Sequence, residues 1–182
     1  MIRVLVNGAL GRMGSEVCKK VWAEADLELA AVVDAKEGTV TLGDTVFGIE
    51  TDLEHAIEAS KPDVVVDFTR PDVVMNNLRK VLALGVHAVV GTTGFSDADL
   101  KEVDELARKN NTSLLIAPNF ALGAVVMMKL ACEAAKYFPH VEIIEKHHDN
   151  KLDAPSGTAI ITAQKIAEAV SYTHLRAHET DS

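Results

Sequence analysis

The sequence predicts an α/β fold built as a Rossmann-type doubly wound parallel sheet, followed by a second, smaller region. Three observations carry that prediction. Short β-branched runs alternate with longer amphipathic stretches, the pattern of βα repeats. The runs are nearly all apolar, as strands covered on both faces must be. A glycine-rich turn, Gly8 to Gly14, lies between the first run and the first helical pattern.

In chain order, the strand candidates are Val4–Val6, Leu27–Val33, Val64–Asp67, Ala88–Val90, Ser113–Ile116 and Val141–Glu145. Helical spacing groups Val17, Val21 and Trp22 after the first strand, then Val74, Leu78, Val81 and Leu82, then Leu100, Val103, Leu106 and Ala107, the last group opened by an N-cap at Ser96. Leu122, Val126 and Leu130 mark a further helix, and Ala159, Ile160, Ala163, Ile166, Ala167 and Val170 another. Ser60-Lys61-Pro62-Asp63 and Asn110-Asn111 read as turns between units. The expected boundaries are 1–120 for a dinucleotide-binding domain, 121–170 for a partial second domain, and 171–182 for a tail. That tail, Ser171 to Ser182, lacks a sustained apolar face and reads either as a disordered terminus or as foreign sequence joined to an unfinished helix.

Composition narrows the function. Against 27 Asp and Glu stand 18 Lys and Arg, a formal charge of −9, in 182 residues that are 48% hydrophobic. Such a chain can bury a core, and its acidic balance argues against nucleic acid or an anionic membrane as partner. No apolar run reaches the ~18 residues that span a bilayer, and Met1-Ile2-Arg3 leads straight into a strand without a signal sequence. Cys18 and Cys132 are too few for a disulfide framework, which suits a reducing cytoplasm.

The chemistry concentrates at strand ends. Gly8-Ala9-Leu10-Gly11-Arg12-Met13-Gly14 has the spacing G-x-x-G-x-x-G; glycines there permit a tight turn and let a pyrophosphate approach the helix N-terminus. A purely conformational turn is the alternative. Twenty residues beyond Gly14, Asp34 ends the second strand, where a dinucleotide fold places the carboxylate that accepts from the ribose hydroxyls. Lys36 and Arg12 could partly neutralise a 2′-phosphate, so both NAD and NADP are expected. Asp67-Phe68-Thr69-Arg70-Pro71, Gly91-Thr92-Thr93-Gly94 and Ala117-Pro118-Asn119-Phe120 end further strands on the same sheet edge, where open α/β sheets bind ligands.

The stretch from Glu145 to Ala159 is the most informative. His147, His148 and Lys151 lie within five residues, and Ser156-Gly157-Thr158 then opens a helix whose N–H groups form an anion site. That combination suits a small carboxylate substrate that is protonated during reaction. A metal held by His147, His148, Asp149 and Asp153 is the rival, but contiguous histidines seldom chelate one ion, so no metal is expected.

Together these motifs resemble the dihydrodipicolinate reductase (4-hydroxy-tetrahydrodipicolinate reductase) family. The resemblance runs through residues 1–170 in order: Gly-Arg-Met-Gly ending the first turn, Asp67-Phe68-Thr69, Gly91-Thr92-Thr93-Gly94, Ala117-Pro118-Asn119-Phe120, and the loop His-His-x-x-Lys-x-Asp-Ala-Pro-Ser-Gly-Thr-Ala. It implies an NAD(P)-dependent oxidoreductase of lysine and diaminopimelate biosynthesis, transferring hydride to a cyclic imine dicarboxylate to give tetrahydrodipicolinate. By position, it makes His147 the proton donor, Lys151 its partner, His148, Gly157 and Thr158 substrate contacts, and Gly8, Ala9, Leu10, Gly11, Arg12, Met13, Asp34, Gly91, Thr92, Thr93, Ala117, Pro118, Asn119 and Phe120 cofactor contacts. It further implies that 121–170 is an incomplete α+β substrate and oligomerisation domain, since family members continue into strands that build a homotetramer. A catalytically inactive dinucleotide-binding fragment is the alternative reading of this chain. Ala35, where some members carry arginine, weakens the NADP case.

Overall fold

The computed structural model describes residues 1–117, 119–138, 140–147 and 155–177, the last seven of these as backbone alone. Two compact units divide the chain, Met1–Ala117 and Pro118–Ser182. This boundary lies three residues before the expected one.

Unit 1 begins with β1 (Ile2–Asn7), α1 (Arg12–Ala23) and β2 (Leu27–Val33). A hairpin of β3 (Thr39–Leu42) and β4 (Thr45–Gly48) follows, then α2 (Leu53–Ser60), β5 (Val64–Asp67), α3 (Pro71–Ala83), β6 (His87–Val90), α4 (Asp97–Lys109) and β7 (Leu114–Ile116). Five strands form one parallel sheet in the order β2-β1-β5-β6-β7. Beyond β2, Glu50 makes a single parallel bridge to Val33, with Glu50 N–H donating to Val32 O at 3.0 Å and Asp34 N–H to Glu50 O at 3.1 Å. The segment after the hairpin thus occupies the place of a third Rossmann strand without extending into one.

Alternation along β1 distributes the core to both faces, because successive side chains of a strand point opposite ways. Leu5 joins Leu53 and Ile57 of α2, Val74, Leu78, Val81 and Leu82 of α3, and Val103 and Ala107 of α4. Val4 and Val6 face Cys18 and Val21 of α1 and Leu42 of the hairpin. Helices therefore lie on both faces, which makes the sheet doubly wound as expected. The four α3 residues grouped by spacing are all buried, and α4 opens on the predicted cap: Ser96 and Asp99 form a reciprocal capping box. Lys61 and Asn111 take positive φ in the two predicted turns.

Differences are local. On α1 the buried face is Gly14, Cys18 and Val21, while Trp22 is half-exposed and meets Phe47 edge-on at 5.7 Å. The hairpin and α2 were not anticipated.

Unit 2 contains α5 (Leu122–Ala135) and α6 (Gly157–Ala177). The expected strand Val141–Glu145 does not form, and a strand requires a ladder partner, which no described segment of this unit supplies. Val141, Ile143 and Ile144 are instead exposed. On α5 the spacing-derived face of Leu122, Val126 and Leu130 is exposed too; Met128 and Ala135 are buried. Helix α6 passes without a break through position 170 to Ala177, so the expected tail begins inside a helix. No helix among the described residues is long and apolar enough to cross a membrane.

Candidate functional site

In unit 1 the site begins at the turn from β1 to α1. Gly8 has φ +83°, and a Cβ there would fall 2.7 Å from Phe68 O; a Cβ on Gly14 would fall 2.0 Å from Gly8 O. Backbone packs on backbone at both positions, so the glycines are required sterically as well as conformationally. The turn's amides are not equivalent. Gly8 and Ala9 N–H both donate to Val33 O, Gly11 N–H to Gly8 O, and Leu10 N–H to Asp34 Oδ2 at 2.9 Å. Those of Arg12, Met13 and Gly14, in the first turn of α1, have no acceptor within the helix and can meet an anion. Ala9 is wholly buried, whereas the side chains of Leu10, Arg12 and Met13 are exposed.

Two clefts open along this sheet edge. One, of about 440 Å³, is lined by Gly8, Leu10, Gly11, Asp34, Lys36 and Arg70 among others; the second, of about 310 Å³, includes Arg12, Met13, Gly91, Thr92 and Thr93. Gly11, Phe68 and Thr69 line both, so the clefts adjoin. Asp34 thus stands at one end and the Gly91 to Thr93 turn at the other. The cation sharing a cleft with Asp34 and Lys36 is Arg70, while Arg12 lines the second cleft. Arg70 was visible in sequence only as part of the Asp67 to Pro71 motif, and its guanidinium Nε pairs with Asp72 at 2.9 Å.

Beneath both clefts sits Asp67, 2% exposed at the end of β5. Its Oδ2 accepts from Asn7 Nδ2 at 2.8 Å and Asn77 Nδ2 at 2.9 Å. Its Oδ1 accepts from Thr69 N–H at 2.9 Å, Thr69 Oγ1 at 2.6 Å and Thr92 Oγ1 at 3.4 Å. Burying a carboxylate costs several kcal/mol unless hydrogen bonds satisfy it, and here five neutral donors do so. Thr92 is thereby turned inward, and Thr93 is the exposed threonine of its pair. None of Asn7, Asn77 or the burial of Asp67 was read from sequence.

Ala117 ends unit 1, donating its N–H to Val90 O at 2.9 Å; Asn119 and Phe120 belong to unit 2, and Pro118 lies outside the described residues. Asn119 Nδ2 donates to Thr158 Oγ1 at 3.4 Å, joining an expected cofactor residue to an expected substrate residue. Ser156 caps α6, its Oγ accepting from Ala159 N–H at 3.1 Å, which leaves Gly157 and Thr158 in the first turn. Glu145 Oε1 accepts from Ser156 N–H at 2.8 Å, and Glu145 Oε2 lies 3.0 Å from His147 Nε2. Hydrogen bonds from Ser156, then from His147, hold the Glu145 carboxyl down to about 2. His148 and Lys151, with Asp149 and Asp153 of the rival metal set, lie outside the described residues. Among the described residues no group of three His, Cys, Asp or Glu could hold a metal.

Two family models match: "Dihydrodipicolinate reductase, N-terminus" over residues 2–120 and "Dihydrodipicolinate reductase, C-terminus" over 123–181. The chain is 51% identical over 170 residues to the 4-hydroxy-tetrahydrodipicolinate reductase of Syntrophomonas wolfei, covering 90% of this chain and 64% of that protein. Identity is 53% over 176 residues to that of Listeria monocytogenes serotype 4b, covering 92% and 66%. The dipicolinate-bound dihydrodipicolinate reductase from Paenisporosarcina sp. TG-14 superposes with TM-score 0.76 at 46% identity, over 93% of this chain and 66% of that one. A homoserine dehydrogenase from S. aureus, at 18% identity and TM-score 0.55 over 65% of this chain and 32% of that one, shares the fold alone. The chain thus spans about two thirds of the length of its curated relatives.

Three outcomes follow from this geometry. Asp67→Ala, which strips five donors of their acceptor, is expected to cost about 3 to 5 kcal/mol of unit 1 stability by denaturant titration. Gly14→Ala is expected to lower the melting temperature and weaken dinucleotide binding together, because the added Cβ displaces the turn. Glu145 has a folded carboxyl below its ordinary 4.5, so its stabilisation is present above pH 4.5 and is lost as pH falls toward about 2. Helicity of unit 2 followed in acid titrations should show that loss in the wild type and not in Glu145→Gln.

Proposed function

Since the chain belongs to the dihydrodipicolinate reductase family, we propose that it carries out the NAD(P)H-dependent reduction of 4-hydroxy-tetrahydrodipicolinate to tetrahydrodipicolinate, in lysine and diaminopimelate biosynthesis. The observation that most supports this is the pair of adjoining clefts that reach from Asp34 to Thr93, beside a turn that only glycine can form, in a chain that also carries His147 and the capped start of α6.

A dinucleotide fits unit 1 on geometry. The space a Cβ would fill at Gly14 is taken by backbone, which brings the first turn of α1 to the cleft and presents the Arg12 and Met13 amides to a pyrophosphate. Asp34 spends Oδ2 on Leu10 N–H and can offer Oδ1 to the ribose hydroxyls. Lys36 and Arg70 line the same cleft and can receive a 2′-phosphate, so both NAD and NADP are accommodated. NAD(P)H, when bound, supplies the hydride.

The substrate is a small dicarboxylate. Gly157 and Thr158 offer one of its carboxylates the N–H groups of a helix start, and His148 is assigned a second contact through the family motif. Hydride addition to the conjugated imine leaves negative charge on the ring. The 4-hydroxyl leaves as water to give that conjugated imine, and His147, assisted by Lys151, donates a proton to the ring after hydride addition, so overall one hydride and one proton are added and one water is lost. The dipicolinate in the Paenisporosarcina structure is a planar dicarboxylate of the same class. The free thiols of Cys18 and Cys132 support a reducing cytoplasm, and exposed Leu122, Leu130 and Ile144 of unit 2 support self-association, with a homotetramer as the expected form.

The test is oxidation of NADH or NADPH dependent on 4-hydroxy-tetrahydrodipicolinate. Retained NADH binding without turnover would favour the inactive dinucleotide-binding fragment instead. His147→Gln and Lys151→Ala are each expected to lower kcat by about 100-fold or more, the range for losing a general acid, with NADH affinity within about 3-fold. A large rise in the NADH dissociation constant in Lys151→Ala would contradict its assignment to proton transfer.

A further inference from the structure

Glu145 has no part in the proton transfer just described, yet it touches both His147 and the helix start assigned to the substrate carboxylate. Its two carboxylate oxygens are divided between them: Oε2 is 3.0 Å from His147 Nε2, and Oε1 accepts from Ser156 N–H at 2.8 Å. Ser156 is 7% exposed and caps α6 through its own Oγ, so its position determines where the helix starts. The carboxylate therefore joins an imidazole to a helix N-terminus across eleven residues of sequence.

We propose that Glu145 is a positioning residue that fixes the tautomer and direction of the His147 ring and registers that ring against the carboxylate-binding start of α6. The proposal rests on the reductase reading for the role of His147, but the contact itself does not. An ionised carboxylate is acceptor-only, so the nitrogen facing it must carry the proton: neutral His147 is held as the Nε2–H tautomer. The low Glu145 carboxyl, about 2, keeps that acceptor charged at neutral pH. Holding the ring by one nitrogen also removes a rotamer search from the reacting complex. Partners of this kind, which orient a functional group without touching substrate, are typically worth about 10- to 100-fold in activity where they support metal-bound histidines.

The test is nitrogen-15 NMR of the histidine rings in the full chain at a pH of about 8, where an ordinary imidazole is neutral, with His147 assigned by its loss in His147→Gln. A free imidazole already favours Nε2–H, so the wild type should show His147 protonated at Nε2 more completely than the other histidines of the chain. In Glu145→Gln, whose carboxamide can keep the Ser156 contact but no longer supplies a charged acceptor, that preference should fall. Turnover by this variant should show kcat lowered about 10- to 100-fold, with the substrate KM within about 3-fold and NADH affinity unchanged.

A wild-type ring exchanging freely between tautomers, or protonated mainly at Nδ1, overturns the proposal. So does a Glu145→Gln enzyme with wild-type kcat. The wild-type spectrum needs no substitution at Glu145, so it remains decisive if that variant does not fold. Full activity in His147→Gln would instead sink the assigned role of His147, while the nitrogen shifts still decide the pairing.

Discussion

A carboxylate with five donors around it, buried where three parallel strands end, is the constraint on which unit 1 depends. Asp67 ties Asn7 at the end of β1 to Asn77 inside α3, and holds Thr69 and Thr92 at the starts of the loops after β5 and β6. Each of those loops lines a cleft. The sheet brings the strand ends into register, since Asn7 pairs with Asp67 and Asp67 with Val90 in the two ladders. Hydrophobic packing on Leu5, Val65 and Val90 places the ends, but packing is non-directional. The hydrogen bonds to Asp67 supply the direction in which the loops leave.

Unit 2 uses a carboxylate for a comparable purpose with less burial. Glu145 collects an amide and an imidazole where no ladder is available to order the chain, because the segment from Val141 forms no strand among the described residues. The two arrangements differ in consequence. Loss of the Asp67 contacts leaves buried donors orphaned, whereas at Glu145 the carboxylate and the His147 ring are closer to water and the Ser156 amide is the buried partner.

Local signals were legible in the sequence wherever chemistry repeats along the chain. Apolar runs located all five sheet strands, Ser96 announced the cap of α4 though not its reciprocal bond with Asp99, and the glycine turn announced both the tight strand-to-helix passage and the cleft above it. What failed was anything decided by a distant partner. Val141–Glu145 has a strand's composition without a described neighbour to pair with. The β3–β4 hairpin had a short signal, Thr39 to Leu42 alternating before Gly43-Asp44, that was too brief to stand out beside the longer runs. Asn7, sixty residues from Asp67, carries no mark in the sequence of the contact it makes. The pairing of Asn119 with Thr158 was hidden likewise, although each belonged to a motif that was noticed.

The claim most exposed to test is that the two clefts form one dinucleotide path running from Asp34 to Thr93. A structure of the chain with NADH bound measures it directly. The ribose of adenosine should meet the Asp34 carboxylate, the pyrophosphate should lie over the Arg12 and Met13 amides, and the nicotinamide should reach the Gly91 to Thr93 turn. A dinucleotide bound in the opposite direction, or away from the glycine turn, would contradict the account.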